Sequence, residues 1–206
     1  VVGYGADPEA CLSIIGELTQ VCLLGNHDAA VAGVQSVEYF TTHARRAVLW
    51  TQRRLSAEIR AGLGDLGLTH AESEAFYVHA EPADPKAWHY VYDAHDAAAA
   101  LEAVNERLVF VGHSHVAFVC AAAHEVRTVV QSEGQLVLAS DARYLVNVGS
   151  VGQPRDGDPR ASFAIRDSEL DAIELVRVAY DVTTARQKIR AAGLPHFLAD
   201  RLGQGC

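Results

Sequence analysis

The sequence of 206 residues predicts an α/β fold in which two β-sheets pack together with helices outside. Helical and strand-like segments alternate in the first half of the chain, and a block of β-branched, alternating segments fills the second half. Three short apolar runs each lead into a potential metal ligand. Half of the residues are hydrophobic, so we expect residues 1–206 to form a single domain with a large core.

The sequence of the first part of the chain predicts several helices and one strand. An Asp-Pro pair predicts a helix over residues 7–18, because Asp caps a helix and Pro suits its first position. The apolar run 21–24 predicts a buried strand. Apolar residues at helical spacing predict a helix over 36–55, and a short helix follows from residue 56 until a group of glycines.

The rest of the chain is richer in strands. Two helical segments stand out, an alanine-rich one over 93–106 and one over 183–192 that Gly193 ends. The strands that we predict are 75–78, 108–111, 116–122, 125–130, 135–139, 144–148, 161–166 and 173–178.

Charge and composition exclude several classes of protein. The formal net charge is −9 without a basic cluster, so the chain is a poor candidate for gripping a nucleic-acid polymer. No apolar run approaches the roughly 18 residues of a membrane span, and no signal peptide is visible. Four cysteines without a CxxC pair fit a reducing compartment, so we expect a cytoplasmic protein with no membrane partner.

Asparagine and histidine side chains follow three of the strand-like runs. Gly25-Asn26-His27-Asp28 follows the first run, His79 follows residues 75–78, and Gly112-His113-Ser114-His115 follows residues 108–111. In layered α/β folds, ligands collect where strand ends meet loops. Mixed oxygen and imidazole ligation without thiolates suits Mn, Fe, Ni, Zn or Co, and two histidines two positions apart can each reach one metal of a pair.

Each motif also has a plainer interpretation. The Gly-Asn segment can be an ordinary turn, and a His-x-His pair is more often structural or solvated than ligating. Ser150 and Arg155 lie in a Gly- and Pro-rich segment that can bind a phosphate or simply turn the chain. Trp88, Tyr90 and Tyr92 can line a pocket for a base or aryl group, but core or lid aromatics are the more common explanation.

Taken together, the motifs resemble those of the calcineurin-like metallophosphoesterases, in their small bacterial and archaeal phosphodiesterase branch. The segments 25–28, 78–80, 112–115 and 147–156 match that family's GNHD, VHG or VHA, GHxH and NPGSVGQPRD motifs. The resemblance implies a four-layer α/β/β/α sandwich of two mixed sheets flanked by helices. It also implies a dinuclear centre with two divalent ions.

The resemblance implies a role for each motif residue. Asn26, His79 and His113 would bind the second metal and His115 the first, with a metal-bridging hydroxide attacking phosphorus. His27 would be the catalytic histidine, as acid or oxyanion stabiliser, and Asp28 would orient or tune it. The reaction would be hydrolysis of a small phosphoester, as a phosphodiesterase or phosphatase.

One departure from the family pattern keeps alternatives open. The family's Asp-x-His and Gly-Asp ligand segments do not occur in this chain, and we expect them, with the first strands, upstream of Val1. A non-catalytic scaffold on the same fold, or an inactive fragment, is the competing hypothesis, and a nuclease acting on polymers is a weaker third. A homo-oligomer is also open, since an exposed strand of the second half can pair across a dimer.

Overall fold

The computed structural model describes residues 1–206. Its helices are α1 (Pro8–Leu18), α2 (Asn26–Ala32), α3 (Thr42–Arg54), α4 (Ala57–Gly64), α5 (Ala94–Glu102), α6 (Val182–Ala191) and α7 (His196–Gln204). Its strands are β1 (Thr69–Glu72), β2 (Ala75–Val78), β3 (Leu108–Val111), β4 (Ala117–Ala122), β5 (Val126–Gln131), β6 (Gly134–Val137), β7 (Arg143–Val148), β8 (Ala161–Asp167) and β9 (Ala172–Val178).

The chain forms two compact units. The first, here called the helical unit, comprises residues 1–68 and 181–204, and the second, the sheet unit, comprises residues 69–180 and 205–206. The expectation that all residues form one domain stays a prediction. None of the helices combines the length and the apolar character that a membrane span requires.

The helical unit is built around α3, which is buried on more than one side. Its residue Val48 packs in one cluster with Val31 of α2 and Leu63 of α4. Its residue Ala47 lies in a second cluster with Ile189 of α6. The side chain of Thr41 caps α3 by accepting a hydrogen bond from the nitrogen of Ala44, which explains why the helix begins at Thr42 rather than near residue 36.

The sheet unit contains a mixed six-stranded sheet and an antiparallel three-stranded sheet. The strand order is β1-β2-β3-β7-β4-β5 in the larger sheet and β6-β9-β8 in the smaller one. Strands β2, β3 and β7 run parallel side by side, with Phe110 opposite both Tyr77 and Val146. The carboxyl ends of these three strands therefore meet at one edge of the sheet.

Both faces of the larger sheet are covered within this unit. Tyr144 and Val146 of β7 pack in a cluster with Ile173 of β9, which joins the two sheets. Leu145, between them in sequence, packs on the opposite face with Ala97 of α5. The predicted mixed α/β class with two packed sheets and flanking helices is confirmed.

The structure differs from the sequence-based expectations in one predicted strand, in one plainer interpretation and in two elements that were not predicted. Residues 21–24 form no strand, since only Leu23 makes an isolated bridge, to Gly67, and Val21 is 48% exposed. The Gly-Asn segment is not a simple turn, because α2 begins at Asn26 with Gly25 as its cap. Strand β1 and helix α7 were not predicted, since the polar run of β1 lacks the apolar alternation by which strands are recognised.

The side chain of Arg143, on β7 of the neighbouring sheet, caps the carboxyl end of α5. Its guanidinium donates hydrogen bonds to the backbone carbonyls of Leu101 (2.6 Å), Val104 (2.6 Å) and Glu106 (2.8 and 3.1 Å). These carbonyls lie at or beyond the last turn of α5, where they have no helical partners. One arginine on β7 thus provides hydrogen bonds to three backbone carbonyls at once.

We expect Arg143→Met to lower the free energy of unfolding by about 2–3 kcal/mol, because it removes charged hydrogen bonds and leaves carbonyls without their donor. Urea unfolding followed by circular dichroism measures the loss. Arg127→Met is the matched control, since Arg127 is an exposed arginine on β5. Equal effects of the two substitutions would contradict this role for Arg143.

Candidate metal centre

Two histidines leave the ends of neighbouring parallel strands in the sheet unit. His79 directly follows β2, and His113 lies two residues beyond the end of β3. The nitrogen of Gly112 donates a hydrogen bond to the carbonyl of His79 at 3.0 Å, which holds the two strand extensions together. The strand register therefore brings the two side chains to one place, as the sequence predicted.

The two imidazole rings converge on each other. His79 Nε2 lies 3.1 Å from His113 Nδ1. Two nitrogens that each lie about 2.1 Å from one cation, in tetrahedral or octahedral geometry, are roughly 3.0–3.4 Å apart. The separation and the donor chemistry thus fit a shared divalent transition metal. No three His, Cys, Asp or Glu side chains lie together in a way that could hold a metal, so the pair by itself offers two donors.

The turn that carries His113 and His115 is tightly constrained. Both histidines adopt the left-handed backbone region, with φ of 57° and 62°. Non-glycine residues seldom adopt this conformation and need the surroundings to hold them there. Ser114 between them is 1% exposed, and its Oγ accepts a hydrogen bond from the nitrogen of Val116 at 3.3 Å.

Asn147, at the end of β7, supplies the constraint. Its side-chain Nδ2 donates to the Oγ of Ser114 (2.7 Å), the carbonyl of Gly112 (3.2 Å) and the carbonyl of Val91 (3.3 Å). Its Oδ1 accepts from the nitrogen of Gly149 at 3.2 Å. The fully buried amide therefore braces the histidine turn from the next parallel strand.

His115 is oriented by the loop that follows β7. Its Nδ1 lies 2.7 Å from the carbonyl oxygen of Gln153, so this nitrogen carries the proton and donates. In a neutral ring, Nε2 would then keep the lone pair that a metal ligand needs. The nitrogen of Arg155 also donates to the carbonyl of His115 at 3.0 Å. The loop thus fixes both the ring and the backbone of His115.

The environment keeps His113 neutral. The pKa of His113 is lowered from 6.5 to about 4, chiefly by burial; a hydrogen bond to the backbone of Trp88 raises this pKa and the positive charge of Arg155 lowers it. A neutral imidazole near pH 7 keeps a lone pair available for a cation. The ring of Tyr90 stacks on that of His113, with centroids 4.1 Å apart and planes 13° from parallel.

The other predicted phosphate-binding residues lie in the loop after β7. Ser150 Oγ accepts a hydrogen bond from the nitrogen of Gln153 at 3.0 Å, so it stabilises the turn. The guanidinium of Arg155 donates to the side-chain oxygen of Gln153 at 3.0 and 3.3 Å. The geometry accounts for Ser150 as a turn residue, and phosphate binding by either residue stays a prediction.

In the helical unit, Asn26, His27 and Asp28 form the first turn of α2. Asp28 is 3% exposed. Its carboxylate accepts hydrogen bonds from the nitrogens of Val1 (2.8 and 3.1 Å), Val2 (3.0 Å) and Gly25 (3.2 Å). The bonds from Val2 and Gly25 hold these two backbone segments against the first turn of α2, so Asp28 has a structural role, and its predicted influence on catalysis stays a prediction.

His27 is held by close packing. Its ring lies 4.2 Å from that of Tyr4 and 5.0 Å from that of Phe40, between ring centroids. Gly3 makes the approach possible, because a Cβ at that position would lie 2.3 Å from His27 Nδ1. The φ of Gly3 is also 120°, which L side chains rarely adopt. The predicted catalytic role of His27 stays a prediction.

Sequence reasoning missed three of the residues that build these features. Asn147 and Ser114 were visible only as members of motifs, and nothing in their spacing showed that they would bond to each other. Gly3 resembled any turn glycine, although its position just before an aromatic residue is a weak signal of close packing. In each case the function of the residue is a contact with a segment distant in sequence.

Comparison with known proteins shows what this chain is similar to. The model of the calcineurin-like phosphoesterase superfamily domain matches residues 6–171. The uncharacterized protein MJ0912 of Methanocaldococcus jannaschii is 38% identical over 209 residues, which cover 100% of this chain and 84% of the relative.

Two solved structures share the fold. The metallophosphoesterase from Sphaerobacter thermophilus superposes with a TM-score of 0.86 at 36% identity, over 100% of this chain and 85% of the other. The hypothetical protein PH1004 from Pyrococcus horikoshii OT3 gives a TM-score of 0.75 at 18% identity, over 100% and 82% of the two chains. The second similarity concerns the fold alone.

Gly3→Ala is expected to cost about 2 kcal/mol or more of stability, because its Cβ would collide with His27 and its backbone conformation is unfavourable. Gly5→Ala should be close to neutral, since no atom lies within 4 Å of the added Cβ. Thermal unfolding of the two variants measures the difference. Similar melting temperatures would show that His27 is not held as described.

The metal-free protein should lose stability as the pH falls from about 6.5 to about 4. Over this range the unfolded state binds a proton at His113 and the folded state does not, so protonation favours unfolding. Urea midpoints between pH 4 and 8, measured with a chelator present, test this. His113→Gln should flatten the slope, with exposed His124→Gln as the surface control; an unchanged slope in His113→Gln would refute the assignment.

Proposed function

The chain belongs to the calcineurin-like phosphoesterase superfamily, and from that premise we propose that it hydrolyses a phosphoester in a metal-dependent reaction. The observation that carries the proposal is the convergence of His79 and His113, whose facing nitrogens are 3.1 Å apart at the ends of two parallel strands. A hydrogen bond between two imidazole rings needs no such strained turn, whereas a metal ligand must be aimed and kept neutral.

We propose that each motif residue has the role that the family pattern implies. Asn26, His79, His113 and His115 supply metal ligands, and His27 is the catalytic histidine. Three observations support these roles: the hydrogen bond from His115 Nδ1 to Gln153, the low pKa of His113 and the close packing of the His27 ring. Two divalent ions are required, drawn from Mn, Fe, Ni, Zn and Co.

When bound, the metal ions supply an activated nucleophile and positive charge at the phosphorus. Side chains of the protein bind the substrate and donate the proton. His27 donates a proton or a hydrogen bond to a phosphoryl or leaving oxygen, for which a half-buried and firmly packed ring is suited. The guanidinium of Arg155, anchored at Gln153, attracts the anionic substrate.

We propose a small phosphoester as substrate rather than a nucleic-acid polymer, because the net charge of −9 opposes the binding of a long anionic backbone. We place the reaction in the cytoplasm, which the free thiols of Cys11, Cys22 and Cys120 support. The proposal includes no membrane partner.

Hydrolysis of bis(p-nitrophenyl) phosphate and of p-nitrophenyl phosphate, with Mn²⁺ and with a chelator, tests the proposal. We expect Mn²⁺-dependent turnover of at least one ester. His27→Ala should lower kcat by about 100-fold or more while metal binding persists, since a positioned acid contributes roughly 10²–10⁴-fold. His113→Ala should lower activity through loss of bound metal.

His124→Ala is the control, because this histidine is exposed between β4 and β5. The scaffold hypothesis makes the opposite forecast. A folded protein that unfolds cooperatively but hydrolyses neither ester with any of the five metals would favour the scaffold. In that case the substitutions at His27 and His124 would have the same effect on ester hydrolysis.

A further inference from the structure

Two exposed tyrosines stand side by side next to the histidine pair. In residues 90–92, Val91 is 1% exposed, whereas Tyr90 and Tyr92 on either side of it are 43% and 52% exposed. The two phenol rings stack on each other, with centroids 5.0 Å apart and planes 16° from parallel. They form an aromatic platform, by which we mean Tyr90 and Tyr92.

The platform is fixed to the sheet unit at two points. The carbonyl of Val91 accepts a hydrogen bond from Asn147, the residue that also braces the histidine turn. The nitrogen of Tyr92 donates to a carboxylate oxygen of Asp96, in the first turn of α5, at 2.9 Å. The rings are therefore held in place before any ligand arrives, which lowers the entropic cost of stacking a ligand on them.

The platform adjoins the groups that would handle a phosphate. Tyr90 stacks on His113, and the backbone nitrogen of Arg155 donates a hydrogen bond to the carbonyl of His115 at 3.0 Å, which joins the loop that carries Arg155 to the histidine turn. Because Tyr90 stacks on both His113 and Tyr92, a planar ligand ring would stack on Tyr92, which is 52% exposed at the outer end of this row of rings.

We propose that Tyr90 and Tyr92 form the base-binding subsite of the enzyme, and that its substrate is a nucleoside phosphoester. The inference rests on the proposed function and specifies its substrate class. A nucleobase stacks on tyrosine through its π-face, and the linked phosphate carries the negative charge that Arg155 attracts. An alkyl phosphoester would leave the platform uncovered.

Calorimetric binding of AMP and of ribose 5-phosphate to the Mn²⁺-loaded protein tests the subsite. The two probes share the phosphate and the sugar and differ in the base. We expect AMP to bind about 10-fold more tightly or better, because stacking of one base favours binding by this order. Tyr92→Ala and Tyr92→Leu should remove most of the difference, and Tyr92→Phe should preserve it.

Tyr39→Ala is the matched control, since Tyr39 is 90% exposed in the helical unit. Equal binding of AMP and ribose 5-phosphate by the wild-type protein, or an unchanged preference in Tyr92→Ala, would overturn the subsite. Hydrolysis of p-nitrophenyl esters in the same preparations separates the two proposals. Turnover without a base preference would refute only the subsite, and a base preference without turnover of any ester, nucleotides included, would refute the hydrolase.

Discussion

The hydrogen bonds of a single buried amide hold the candidate site of the sheet unit together. Asn147 donates to Gly112 and Ser114 in the histidine turn and to Val91 in the tyrosine segment. A buried amide must satisfy its donors, and its acceptors here lie on two segments, the histidine turn and the tyrosine segment. The placement of His113 and of the aromatic platform therefore depends on the same side chain.

The backbone conformation and the burial of the histidine turn both reduce the stability of the fold. His113 and His115 occupy the left-handed region, and His113 is buried without the charge that water would favour at low pH. Both features oppose folding by themselves. A protein that needed only a packed strand end could use glycine and an aliphatic residue there, whereas a metal ligand has to be neutral, rigid and correctly aimed.

Patterns that depend on neighbouring residues could be predicted from the sequence. The runs 75–78 and 108–111 were recognised from their apolar character, and their parallel pairing places His79 and His113 together. Contacts over long separations could not be predicted. The run 21–24 resembled a strand because its composition is apolar, but only Leu23 forms a β-bridge, to Gly67. The bond between Asn147 and Ser114 depends on three-dimensional register, which spacing does not reveal.

Diffraction from crystals soaked in Mn²⁺, recorded with its anomalous signal, would locate a metal ion between the two histidines. We expect an anomalous peak within about 2.0–2.3 Å of both His79 Nε2 and His113 Nδ1, and none there in His113→Ala crystals. A map without a peak at this position, in which the two rings remain bonded directly to each other at full Mn²⁺ occupancy elsewhere, would contradict the assignment of this pair as metal ligands.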